Sequence, residues 1–173
     1  MQTLISQDTL QQRVADLARE ISNDHPNGVH MVCVLKGAFM FLADLVRAMT
    51  CEVTLDFMAV SSYKDGLKST GDVEILKDLS NSIRGKDVLV VEDIVDTGLT
   101  LARLLDILGS RGAASIRLAS FLDKPEPRVK THLKIDYTGF VVPNQFVVGF
   151  GLDAAGRYRN LPFIAIVKDP SNI

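Results

Sequence analysis

Val90-Val91-Glu92-Asp93-Ile94-Val95-Asp96-Thr97-Gly98-Leu99-Thr100 is the stretch on which the reading of this chain turns. It continues the apolar run Asp87 to Val91, a strand buried on both faces, and places two adjacent carboxylates where that strand is expected to end. A charge taken out of water needs a partner, so Glu92 and Asp93 call for hydroxyl donors or a cation. Four residues on, Asp96 to Thr100 offers hydroxyls and backbone N–H groups at the start of a helix built on Leu101, Leu104, Leu105 and Leu108. Such a helix start suits a phosphate. Acids beside an anion site imply a sugar or a metal between them.

Working outward, the same alternation repeats. Leu10, Val14, Leu17 and Ile21 recur at intervals of three and four, which predicts an amphipathic helix over Asp8 to Ile21. Val29 to Leu35 reads as a buried strand, and Ala38 to Met49 as a helix after a Lys36-Gly37 turn. Further strands are predicted at Val53 to Val60, Ser115 to Leu122, Tyr137 to Val142, Phe146 to Gly149 and Phe163 to Val167. The polar segment Ser61 to Gly85 reads as a long mobile excursion. The pattern is that of an α/β fold, a mostly parallel sheet flanked by helices, in one domain over 1–173. Ligands of such sheets bind beyond the carboxyl ends of the strands. Lys36-Gly37, Glu92 to Thr100 and Asp123-Lys124 each follow a predicted strand, so one edge gathers all three.

The 173 residues, 47% hydrophobic and 23% charged, suffice for one buried core. A net charge of −2 without clustered Lys or Arg argues against a nucleic-acid binder. Met1 to Thr9 does not read as a secretory signal, and no stretch is apolar enough to span a membrane, so the expectation is a cytoplasmic protein. Cys33 and Cys51 lie in apolar runs without CxxC spacing and are expected to be buried, reduced thiols.

The central stretch closely resembles the phosphoribosyl pyrophosphate signature of type I phosphoribosyltransferases: four apolar residues, two acids, two apolar residues, Asp-Thr-Gly, then Thr. Over nearly the whole chain the similarity is to the hypoxanthine-guanine phosphoribosyltransferases. The resemblance implies that fold, with a small hood region and a flexible lid loop, and a homo-oligomer, dimer or tetramer. It implies transfer of a phosphoribosyl group from phosphoribosyl pyrophosphate to a 6-oxopurine base, with magnesium as cofactor.

By resemblance, Glu92 and Asp93 meet the ribose hydroxyls directly or through magnesium, and Asp96, Thr97, Gly98, Leu99 and Thr100 cradle the 5′-phosphate. Leu99 replaces a small or basic residue of relatives, at a position where the backbone does most of the cradling. Leu35-Lys36-Gly37 matches a family turn whose first peptide is cis; Lys36 and Gly37 would address the pyrophosphate, as would Arg159. Ser62-Tyr63 and Ser69-Thr70-Gly71 match the lid that shields the reacting centre from water. Lys124 would donate to the six-position oxygen, Phe146 would stack on the base, Val147 would touch it through its backbone, and Asp153 would help hold magnesium. Asp96 is the candidate general acid/base. Asp123 stands where relatives carry other residues, and no mechanistic meaning attaches to it.

Two accidental motifs fail on context. Gly149-x-Gly151-x-x-Ala154 lacks the helix and the following chain of a dinucleotide site. Val95-Asp96-Thr97-Gly98 matches an aspartic-protease triplet but precedes a helix. The alternatives kept are a nucleic-acid-binding regulator on the same scaffold, which needs a basic surface, and a xanthine-preferring enzyme.

Overall fold

Strands that are apolar on both faces need cover on both sides, and the chain supplies it from three helices. In the computed structural model, which describes residues 1–62 and 73–169, the elements run β1 (Gln2–Ile5), α1 (Gln7–Asp24), β2 (Val29–Leu35), α2 (Phe39–Ala48), β3 (Val53–Ser62), β4 (Val73–Lys77), β5 (Asp87–Val95), α3 (Leu99–Gly109), β6 (Ser115–Asp123), β7 (Tyr137–Val141), β8 (Val147–Val148) and β9 (Ile164–Ile166). Six strands form one sheet in the order β4-β3-β2-β5-β6-β7, parallel except for β4. Successive side chains of β2 and β5 face opposite ways. Met31, Cys33, Leu89 and Val91 pack with Leu10, Val14, Leu17 and Ile21 of α1 and with Phe41 and Leu45 of α2. Val32, Val34, Val88 and Val90 pack on the other face with Leu101, Leu104 and Leu108 of α3. The period-3.6 pattern in the helices and the continuous apolar strands thus resolve into two cores either side of one sheet.

A smaller antiparallel sheet, β1-β9-β8, is the hood. β1 carries no period-2 signal, and its strand character comes from pairing Gln2 with Ile166 and Ile5 with Ile164. β5 runs four residues beyond its expected end. β6 keeps pairing with it to Val95↔Asp123, whereas β2 stops at Cys33↔Val91, so Glu92 and Asp93 lie within the strand. Cys33 is buried and Cys51 only half-buried; both are free thiols.

The expected excursion over 61–85 is corrected in part. β3 extends through Ser62, and 73–77 returns antiparallel beside it as β4. Beyond β4 the chain is tied down by one buried carboxylate. Asp56, 3% exposed, accepts hydrogen bonds from the N–H groups of Phe57 at 2.8 Å, Ser80 at 2.8 Å and Asn81 at 3.1 Å. Burial alone would raise its pKa, but these three donors and nearby Lys77 outweigh it and hold the group below the ordinary value. A carboxyl with a depressed folded pKa contributes stability above its unfolded value and loses it as pH falls through the folded one. Asp56→Ala should therefore destabilise the fold by about 1 to 3 kcal/mol near neutrality, the cost of orphaned buried donors. The deficit should shrink towards pH 3, and urea midpoints of both proteins at the two pH values check this.

Among the described residues, no helix is long and apolar enough to cross a membrane.

Candidate active site

Parallel strands put the carboxyl ends of β2, β5 and β6 on one edge, and three turns meet there. The first is Lys36-Gly37 after β2, whose Leu35-Lys36 peptide is cis, as the resemblance implies. Lys36 is exposed and Gly37 buried. Gly37 is required by space: a methyl group there would collide with the Asp93 carboxylate. A side chain at Gly151 would in turn overlap the Gly37 carbonyl, so the β8–β9 connection rests on this turn. Gly37→Ala should displace Asp93 or the turn by an ångström or so, and a misplacement of about that size can cost on the order of 10² in rate. We expect kcat/KM to fall by about that factor with an unchanged far-UV circular dichroism spectrum.

The second turn follows β5. Glu92, Asp96 and Gly98 to Leu101 line a cleft of about 240 Å³ with Val34, Leu35 and Val60. Gly98 adopts the left-handed conformation, φ 74°, and precedes α3 without any side chain capping the helix. The first-turn N–H groups are thus left for an anion. The Leu99 N–H has only a long contact, 3.5 Å, to the Thr97 hydroxyl. Asp96 is exposed; one of its oxygens accepts the Thr97 N–H at 2.6 Å.

Glu92 and Asp93 are half-buried, and among the described residues no basic side chain lies within ion-pairing distance of either. Burial first, then the Asp93 charge and a hydrogen bond between the two, hold the Glu92 carboxyl well above its usual range. Burial also raises Asp93, although the Ile94 N–H, donating to it at 2.7 Å, opposes the rise. Two crowded oxygen donors short of cations fit a hard divalent ion such as magnesium, which binds through one or two carboxylates and fills its remaining positions with water and substrate oxygens. Asp153 is not brought into a three-carboxylate group with them. It pairs with Arg159 at 2.8 Å and accepts the Gly156 N–H at 2.7 Å. Arg159 also donates to the Gly151 carbonyl at 2.6 Å, which fixes it beside the Gly37 turn.

The third turn carries Lys124, whose ammonium group donates to the Gln145 carbonyl at 2.5 Å. Burial lowers its pKa, against the opposing charge of Asp96. The next residue, Phe146, is an exposed aromatic, 42% accessible. Val147 is buried in β8, while the Phe146 carbonyl accepts the Val167 N–H at 2.9 Å. Tyr63 and 69–71 lie outside the described residues, as does the side chain of Ser62.

An uncapped glycine-hinged helix start, a carboxylate pair and an exposed aromatic beside a lysine share one edge, as the phosphoribosyltransferase resemblance implies. A phosphoribosyl transferase domain model matches residues 6–155. The chain is 45% identical to the hypoxanthine-guanine phosphoribosyltransferase of Bacillus subtilis, over 95% of this chain and 92% of that protein. It belongs to the hypoxanthine-guanine phosphoribosyltransferase family. A crystal structure of a family member from Bacillus anthracis, with a HEPES molecule in its active site, superimposes with a TM-score of 0.92 at 46% identity, covering 96% of this chain and 98% of that one. The bifunctional protein TilS/HprT of Listeria monocytogenes is 49% identical over 95% of this chain, which spans only 26% of that protein's length.

Two groups at the site escaped the sequence reading. Arg128 donates through Nε to the Asp96 carbonyl at 2.7 Å and through Nη2 to the Val95 carbonyl at 3.2 Å, and it pairs with Asp123. The Gln145 carbonyl receives Lys124. Neither has a local signal: an Arg in a Pro-rich turn reads as solvated, and a backbone carbonyl has no sequence signature.

Proposed function

We propose that this chain transfers the 5-phosphoribosyl group from phosphoribosyl pyrophosphate to hypoxanthine, guanine or both, giving IMP or GMP and pyrophosphate. The observation that carries the reading is the convergence of an uncapped phosphate-type loop and the Lys124–Phe146 pair on one strand edge. The relative of nearly equal length from Bacillus subtilis, named for this activity, supports it.

In this reading the N–H groups of Gly98 to Thr100 and the hydroxyls of Thr97 and Thr100 hold the 5′-phosphate. Glu92 and Asp93 would hold magnesium or the ribose hydroxyls, with Asp153 a further partner through water. Magnesium, when bound, supplies charge neutralisation on the departing pyrophosphate. Lys36 and Arg159 stabilise the same developing charge, a task suited to preorganised donors. Phe146 stacks on the purine, Val147 meets it through its backbone, and Asp96 moves the proton on its imidazole ring. Ser62 and Tyr63 belong to the lid that excludes water. We further infer a cytoplasmic homo-oligomer, with its two free thiols kept reduced.

Pyrophosphate release measured with phosphoribosyl pyrophosphate and each of hypoxanthine, guanine, xanthine and adenine tests the reading. No release with any 6-oxopurine would refute it. Within that assay, Lys124→Ala should lower kcat/KM for 6-oxopurines by about 1.5 to 3 kcal/mol of transition-state stabilisation, the worth of a hydrogen bond from a charged donor. It should not create adenine activity, because deleting a donor builds no acceptor. Unchanged hypoxanthine and guanine efficiencies would remove Lys124 from the base site.

A further inference from the structure

The phosphate-type loop has two sides, and only one faces the cleft. The other is clasped by the segment that follows β6. Lys124 N–H donates to the Val95 carbonyl at 2.9 Å, Arg128 to the Val95 and Asp96 carbonyls at 3.2 and 2.7 Å, and the Val129 and Lys130 N–H groups to the Thr97 carbonyl at 3.0 and 3.1 Å. Three successive carbonyls are thereby tied back. A trans peptide holds each C=O antiparallel to the following N–H. Fixing the Thr97 carbonyl on the clasp therefore turns the Gly98 N–H to the opposite side, which lines the cleft. The close approach needs glycine as well: a Cβ at Gly98 would sit 3.0 Å from Leu133, 3.3 Å from Arg128 and 3.4 Å from Lys130, on a backbone already in the left-handed region.

Within the clasp, Arg128 is the one side chain that reaches two of these carbonyls, and its guanidinium is held in place by Asp123. Both side chains are largely buried, at 11% and 17% exposure. Asp123 is the last residue of β6, immediately before Lys124.

We propose that Arg128, oriented by Asp123, is a positioning residue that presets the phosphate loop and locks it to the purine-recognising segment. This rests on the phosphoribosyl-transfer reading above. A guanidinium can bond two carbonyls and a carboxylate together because its donors lie in a rigid plane. A lysine ammonium has the charge without that fork, so Arg128→Lys should restore little. Asp123, which stood without a role in the sequence, becomes the orienting partner.

The test measures steady-state kinetics, thermal midpoints, and calorimetric binding of phosphoribosyl pyrophosphate and ribose 5-phosphate for the wild type, Arg128→Gln, Arg128→Lys and Asp123→Asn. Loss of one or two charge-assisted hydrogen bonds on the loop should weaken binding of both sugar phosphates by about 10- to 100-fold in Arg128→Gln. The KM for the donor should rise in step, with kcat within about threefold, because the phosphate is held alike in ground and transition states. Asp123→Asn, the milder change, should shift the same quantities less, and adding it to Arg128→Gln should cost little more. A lowered thermal midpoint with unchanged sugar-phosphate binding in Asp123→Asn and Arg128→Lys would overturn the proposal. Full rescue by Arg128→Lys would overturn the planar-fork argument. A wild type that binds ribose 5-phosphate yet turns over no purine would sink the activity reading while the variants still decide the positioning role. A wild type that binds neither sugar phosphate would overturn both.

Discussion

Excess chelator should abolish pyrophosphate release, and added magnesium should restore it. Glu92 and Asp93 sit side by side near the end of β5, half-buried and without a basic side chain in ion-pairing range among the described residues. Burial raises both carboxyl groups, Glu92 most because the Asp93 charge adds to it, while the charge of Arg159 offsets only part of the rise at Asp93. The leaving pyrophosphate adds further negative charge, and Lys36 and Arg159 answer only part of it, since Arg159 is already paired with Asp153. On the proposed reading a divalent ion would supply what the side chains lack. The check is turnover against free magnesium, paired with the thermal midpoint in the presence of phosphoribosyl pyrophosphate. A ligand that binds only the folded state raises that midpoint. Full turnover in excess chelator would refute the assignment.

Asp96→Asn should lower turnover by roughly 10² or more while leaving donor affinity nearly unchanged, the span of a lost general acid/base. One Asp96 oxygen is engaged by the Thr97 N–H at 2.6 Å, and the Asp96 carbonyl accepts from Arg128 of the segment that also carries Lys124, so the residue joins the phosphate loop to the base segment. Asparagine keeps the size and one oxygen but cannot take a proton. Thr100→Ala should do the reverse, raising the donor KM more than it lowers kcat, because a phosphate contact is made equally in ground and transition states. Paired kinetics of the two variants under saturating magnesium separate the roles. Near wild-type turnover in Asp96→Asn together with lost donor affinity would move Asp96 into the phosphate cradle and leave the proton to another group.

The signature residues were legible because each depends on its neighbours in the chain. Adjacent acids on a buried strand, then Asp-Thr-Gly at a helix start, form one local unit whose geometry follows from where β5 stops and α3 begins. The apolar run Val29 to Leu35 likewise matched β2 to the residue, since its short length, β-branched residues and flanking Gly28 and Gly37 favour a buried strand over a helix. Two edge strands, β1 and β4, escaped for the opposite reason. Both are short and largely exposed, and their hydrogen bonds come from partners distant in sequence or across the 63–72 segment.

By itself the sequence determined the alternation of strands and helices, a sheet covered on both faces, and the identity of the loop that suits a phosphate, because period and local composition carry that information. Only the tertiary structure decided that β6 carries β5 through the carboxylates to Val95, that Gly37 is squeezed between Asp93 and Gly151, and that Asp56 pins the chain after β4. The Asp123–Arg128 clasp on the back of the phosphate loop is of the same kind. Each of these is a contact between segments far apart in the chain or across a turn of irregular backbone. A hydrogen bond to a carbonyl, or the space for one missing methyl group, is set by where two such segments meet, and no residue pattern within either one records it.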